Sequence, residues 1–194
     1  MSDVLTTLRR DGFVTTTAPE LFGADLWAEL QAATTEQMRV MAPLLRLTKN
    51  GQILGQFRGP GSRGPDKGSF LVKLLGERPQ YDPASIWIRI AEHPAVVQLA
   101  ADYLEAVPHL KAYNLWYTVA SGAKPPRDSQ LWHRDEDDVR MFKVFVYLTD
   151  VGLEAGPLHY VCGTPGRQGG PAATLDYARV PRATDAQMAA WRTD

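Results

Sequence analysis

The sequence predicts an α+β domain, with helices buttressing an antiparallel sheet or barrel, and three observations carry that prediction. Helical spacing of apolar residues dominates up to about Leu104. After Pro108 the pattern switches to aromatic-rich, roughly alternating segments, and turns rich in Gly and Pro separate those segments. Helices first and strands afterwards is the order of elements in α+β domains. At 194 residues the chain is long enough for one domain with a substantial core, and residues 1–194 read as a single domain.

Val4–Arg10 reads as a short helix stopped by Asp11-Gly12, with Phe13–Thr17 a β-branched strand behind it. From Asp25 to about Met41, the positions Leu26, Leu30, Ala33, Met38 and Met41 recur at helical spacing, and Pro43 closes the run. Lys49–Lys67, rich in Gly, Pro, Arg and Lys, reads as a long surface loop, in which Arg58 and Arg63 either face solvent or approach an anionic substrate. Ser85–Ala91 and Pro94–Leu104 form a second helical block. Pro94 suits a first turn there, and Val96, Val97, Ala100, Ala101 and Leu104 form the apolar face. Three strands are expected next: His109–Ala120, Met141–Leu148 and Leu158–Cys162. Gly122–Asp128 is a loop, and Gly156-Pro157 leads into the third strand. Beyond Gly163 come two Gly/Pro-rich stretches, then a short helix at Asp185–Trp191 behind the cap residue Thr184.

Composition excludes several classes of function. With 21 basic and 22 acidic residues the net charge is −1, so no bulk field favours nucleic acid or an anionic membrane. Basic residues do not cluster with aromatics into a stripe, which argues against nucleic-acid binding. No stretch approaches the roughly 18 consecutive apolar residues of a membrane helix, and the opening MSDVLTTLRRDGF lacks a signal peptide's apolar run. The single cysteine, Cys162, cannot form an internal disulfide, which fits a reducing compartment. A cytoplasmic protein is expected.

The segment that carries chemistry is Ser129–Asp138, SQLWHRDEDD. Residues i and i+2 of an extended segment project to one face, so His133 and Asp135 reach toward a common point. An imidazole and a carboxylate converging there are two thirds of the 2-His-1-carboxylate triad, which leaves open positions on iron. An isolated His-x-Asp is common by chance, and the alternative is a surface pair beside a solvated acid run, Glu136–Asp138.

The surrounding segments narrow the choice. Trp132-His133-Arg134-Asp135, the strand Lys143–Val151 and the segment Gly156–Thr164 follow one another as in the phytanoyl-CoA dioxygenase family. The opening Arg9–Phe13 (RRDGF) and the helix Ala91–Leu104 resemble that family too. The resemblance spans roughly Leu5 to Gly163. It implies a double-stranded β-helix, a squat barrel of two antiparallel sheets with iron(II) at its mouth, held by His133, Asp135 and a distal histidine. It further implies 2-oxoglutarate as cosubstrate, molecular oxygen as oxidant, and oxidation, in most members hydroxylation, of an unactivated C–H bond in a small organic substrate. A dicarboxylate in a dry barrel needs a fixed bidentate cation, which guanidinium supplies better than ammonium.

The sequence departs from the family's pattern late in the chain. After His133 the one further histidine is His159, inside the Gly-Pro-Leu-x-Tyr-Val segment, where the family does not place its distal ligand. Gly163-Thr164 is followed by Pro165 rather than histidine. The expectation is a barrel without its closing strands, with an exposed sheet edge open to self-association. A catalytically incomplete protein acting as a binding scaffold is then the alternative to an active oxygenase.

Several other residues have two readings each. Asn114, on the strand leading to the site, resembles the polar residue that contacts 2-oxoglutarate in the family; otherwise it is a structural amide satisfying neighbouring backbone. Lys143 is either an inward cation facing cosubstrate or substrate, or an outward solvated lysine. His159 is a replacement third ligand or a barrel-wall residue. Trp132 reads as packing beside the metal, His93 and His109 as boundary residues, and Cys162 as a buried small apolar residue.

Overall fold

Charge and capping residues place the early helices. The computed structural model describes residues 2–45, 48–49, 52–53, 71–118, 125–126, 128–135, 140–163 and 182–191. Helix α1 (Ser2–Asp11) carries Asp3 in its first turn and Arg9 and Arg10 in its last, as the helix dipole favours. Gly12, at φ +74°, ends it by donating its N–H to the Leu8 carbonyl at 2.8 Å. Residues 13–17, expected as a strand, are irregular. β-branched side chains favour a pleated surface, but a strand forms only where a neighbour pairs its backbone. Phe13 is instead held by stacking on Tyr160, with centroids 5.4 Å apart.

Helix α2 (Ala18–Phe22) has a proline in its first turn, and Glu20 accepts hydrogen bonds from the Thr17 amide and the Thr16 hydroxyl. Helix α3 (Ala24–Leu45) runs past Pro43, which lies inside its last turn. A proline there forfeits one hydrogen bond to the carbonyl of Arg39, and the helix ends soon after. Helices α4 (Ile86–Ala91) and α5 (Pro94–Leu104) fall where the apolar spacing predicts. The Ser85 hydroxyl caps α4 by accepting from Ile88 N–H, and His93 Nδ1 caps α5 by accepting from Ala95 N–H. The His93 ring also meets Phe22 edge-on at 5.3 Å.

These helices pack into one layer of contacts: α1 on α5, α2 on α3 and α5, and α3 on α4. Leu8, Phe22, Leu30, Ile86, Ile88, Val96 and Ala100 are buried among them. Arg9 joins α1 to the end of α5 through the Asp102 carbonyl and the Glu105 carboxylate.

Strand structure among the described residues is confined to three two-stranded antiparallel ladders. Strand β1 (Thr48–Lys49) pairs with β2 (Gln52–Ile53). Strand β3 (Leu71–Lys73) pairs with β4 (Trp116–Thr118), setting Val72 opposite Tyr117. Strand β5 (Trp132–His133) pairs with β6 (Arg182–Ala183), and helix α6 (Asp185–Trp191) follows directly. Of the expected His109–Ala120 strand, residues 109–115 are irregular, 116–118 form β4, and 119–120 lie outside the described residues. Met141–Leu148 and Leu158–Cys162 have no ladder partner among the described residues. Most of the expected Lys49–Lys67 loop, the Glu136–Asp138 acid run and the Gly/Pro-rich stretches after Gly163 lie outside the described residues.

The unladdered segment 141–148 alternates in exposure only from Phe145 on, since Lys143, Val144 and Phe145 are exposed in succession. Phe142, Val146 and Leu148 are partly buried, while Lys143, Phe145 and Tyr147 are exposed. Two apolar clusters anchor this half. Met41, Val72, Leu74 and Leu115 form one, with Leu148 and Trp87 packed against it. Ala183 and Met188 form the other, against Trp132 and Val161. Residues 140–163 are tied to the helices by Arg140 donating to the Leu104 carbonyl, by Phe142 against Tyr103, and by Gly163 N–H donating to the Asp11 carbonyl. Cys162, expected inside, is exposed: it sits in the turn before that last hydrogen bond, where no core reaches it. No helix among the described residues is long and apolar enough to cross a membrane.

Candidate metal centre

The β5–β6 ladder presents His133 at the end of a strand, and the chain then passes through Arg134 to Asp135. The i, i+2 relation works as expected in the structure: His133 Nε2 and Asp135 Oδ1 lie 3.5 Å apart. That is too long for a good N–H···O hydrogen bond. Two first-row metal bonds of about 2.1 Å at a right angle would bring the donors to about 3.0 Å. A side-chain rotation of a few tenths of an ångström closes that gap, so the pair fits a shared divalent cation.

The orientation of the imidazole follows from its other nitrogen. His133 Nδ1 is 2.7 Å from the Leu131 carbonyl. A carbonyl only accepts, so Nδ1 carries the proton and donates. In the neutral ring this leaves the Nε2 lone pair facing Asp135. Metal-binding histidines are commonly fixed this way, with the second ring N–H held by backbone or carboxylate.

Lys143, the second residue expected near the site, meets the carboxylate's other oxygen: its Nζ lies 2.6 Å from Asp135 Oδ2. The lysine therefore touches the carboxylate while staying partly open to solvent. With the two side chains 40% and 38% exposed, such a pair contributes about 0–1 kcal/mol. That is too little to bar a divalent cation from Oδ1. The carboxylate is divided, with one oxygen toward His133 and one toward Lys143.

Asn114 is engaged with neighbouring backbone. Its Nδ2 donates to the Gly76 carbonyl at 2.8 Å, and its Oδ1 accepts from Leu75 N–H at 3.4 Å. Both ends of the amide thus brace the turn after β3, which is the structural one of the two readings. Asn114→Ala is accordingly expected to cost about 1–2 kcal/mol of stability, the scale for leaving such backbone groups short of partners. Divalent-metal affinity should be unchanged; chemical denaturation paired with Mn(II) titration checks both. A large loss of 2-oxoglutarate affinity at undiminished stability would restore the cosubstrate role.

His159 is also near the site but turned to a different task. Its ring lies against Trp132 with centroids 5.8 Å apart. Among the described residues no group of three His, Cys, Asp or Glu side chains converges as a metal site, so His159 does not complete the pair. The residue that sequence reading missed is Arg182, paired directly across the ladder from His133. Cross-strand partners place their side chains on one face, so a guanidinium shares the face of the metal pair. No local signal betrays it, because the pairing joins residues about fifty positions apart. No protein-family model, curated protein or solved structure matches the chain.

Proposed function

We propose that this chain carries the metal pair of an iron(II)- and 2-oxoglutarate-dependent oxygenase of the phytanoyl-CoA dioxygenase type. The single observation that carries the reading is the His133–Asp135 geometry, with donors 3.5 Å apart and Nδ1 engaged by the Leu131 carbonyl. His133 Nε2 and Asp135 Oδ1 are the atoms that would hold the metal. Bound there, iron would supply open positions for a chelating cosubstrate and molecular oxygen. The residues' own work is to hold two donors at fixed spacing, orient the His133 ring, and present cations nearby. Lys143 and Arg182 are those cations, suited to an anionic cosubstrate such as 2-oxoglutarate. The overall reaction is oxidation of an unactivated C–H bond in a small organic molecule, coupled to conversion of 2-oxoglutarate to succinate and carbon dioxide.

The double-stranded β-helix is the fold we propose for residues 109 onward. The aromatic and β-branched composition of 141–148, and the docking of Leu148 onto the Val72–Leu115 cluster, support it. The single cysteine and unexceptional charge support a cytoplasmic location with no nucleic-acid or membrane partner. Exposed Phe145, Tyr147 and Leu158 support self-association along this side.

A second reading is favoured by one specific observation: only two donors converge among the described residues, and one already holds an ammonium. On that reading the chain is a weak metal binder and scaffold without turnover. Succinate release separates the two. With iron(II), ascorbate, oxygen and 2-oxoglutarate, an oxygenase releases succinate, and Asp135→Ala abolishes it. The absence of succinate, with metal binding that is weak yet lost in His133→Ala, would establish the scaffold reading.

A further inference from the structure

Residues 182–191 follow the metal pair by about fifty positions in sequence, yet three separate contacts bind them to the strand that carries His133. The ladder sets Trp132 opposite Ala183 and His133 opposite Arg182. The Trp132 indole N–H donates to Asp185 Oδ1 at 2.6 Å. Ala183 and Met188 are buried against Trp132 and Val161. Helix α6 is itself anchored at its start: the Thr184 hydroxyl accepts from Gln187 N–H, and the Gln187 side-chain carbonyl accepts from Thr184 N–H.

We infer that Arg182–Trp191 is a positioning strap for the metal pair, with the Trp132–Asp185 hydrogen bond as its latch. The chain of consequence is short. Asp185 holds Trp132, and Trp132 and the two-residue ladder hold the backbone of β5. That backbone aims the Leu131 carbonyl, which orients the His133 ring through Nδ1. A ladder of two residue pairs has little cohesion of its own, so the register of His133 depends on the latch and the buried Met188. Asp185 and Trp132 are positioning residues and touch no ligand. The inference about metal affinity rests on the oxygenase reading, whereas the latch does not.

The full chain tests both parts. Asp185→Ala removes the acceptor, Trp132→Phe removes the donor while keeping an aromatic ring, and Asp185→Asn retains an acceptor oxygen. Hydrogen exchange should speed up across residues 131–135 in Asp185→Ala and Trp132→Phe, with α1 to α5 unaffected. Asp185→Asn should exchange at the wild-type rate. The double variant should lose no more than either single one, as expected when both act through one bond. Mn(II) affinity should fall about 10–100-fold in the two breaking variants, the scale for disturbing a partner of a metal ligand, and return in Asp185→Asn. Unchanged exchange over 131–135 in Asp185→Ala overturns the latch, and unchanged Mn(II) affinity there overturns its role toward the metal. Equal Mn(II) binding by wild type and His133→Ala instead defeats the oxygenase reading and the strap's service to a metal. Exchange then still decides whether the strap holds the strand.

Discussion

His133→Ala is expected to lower Mn(II) affinity by more than about 100-fold, beyond the 10–100-fold typical of disturbing an outer partner of a metal ligand. Mn(II) is the useful probe because it binds the same nitrogen and oxygen donors as iron(II), slightly more weakly. The imidazole supplies the one nitrogen donor of the pair, its ring oriented by the Nδ1 contact with the Leu131 carbonyl. Alanine leaves a lone carboxylate whose second oxygen is held by Lys143. An isolated carboxylate in solvent binds divalent cations poorly, so Asp135→Ala should be equally damaging from the opposite side. Calorimetric or spin-resonance titration of both variants and wild type, without oxygen, measures this. Equal affinity in all three proteins would mean that the His-x-Asp pair is an ordinary surface feature. Neither substitution should change the melting temperature much, because both side chains are partly exposed, 25% and 38%, and neither belongs to an apolar cluster.

The largest stability effect is expected in the helical half, at Ile88. Its side chain is 1% exposed, the most enclosed among the described residues. It sits in the short helix α4, which packs on α3. Trp87, its neighbour, leans on the Val72–Leu115 cluster, so α4 links the helices to the β3–β4 ladder. Ile88→Ala removes buried carbon atoms and leaves a cavity that rigid neighbours fill only in part, at about 2–5 kcal/mol. Against a total stability of about 5–15 kcal/mol, that is enough to populate unfolded chain. Val107→Ala, at a position 95% exposed, should stay within about 0.5 kcal/mol and serves as the control. Urea unfolding of both variants is the measurement. A cost below about 1 kcal/mol at Ile88 would show that α4 is not the keystone described here.

How much could be read in advance depends on the range of the interaction involved. The helices were legible because their determinants are local. Apolar residues three and four apart, Pro94 in a first turn, and Gly12 as a terminator all act within a turn or two of the chain. The His133–Asp135 convergence was legible for the same reason, since i, i+2 geometry belongs to the backbone itself. The strands were less so. Phe13–Thr17, Met141–Leu148 and Leu158–Cys162 have strand composition, yet among the described residues none of them joins a ladder. Strand formation needs a partner elsewhere in the chain, which composition does not specify.

The sequence by itself thus determined most of the helices and the approach of His133 to Asp135, all through contacts spanning a few residues. Tertiary structure alone decided which distant groups meet that pair. It set Lys143 on the free oxygen of Asp135 and Arg182 across from His133. It latched Asp185 to Trp132, and it set Asn114 to brace the turn after β3. The physical reason is that these contacts join elements whose approach is fixed by the packing of Leu115, Leu148, Ala183 and Met188 in two separate apolar clusters. Burial of apolar surface is non-directional, so side-chain identities along the chain do not reveal which polar groups it will bring together.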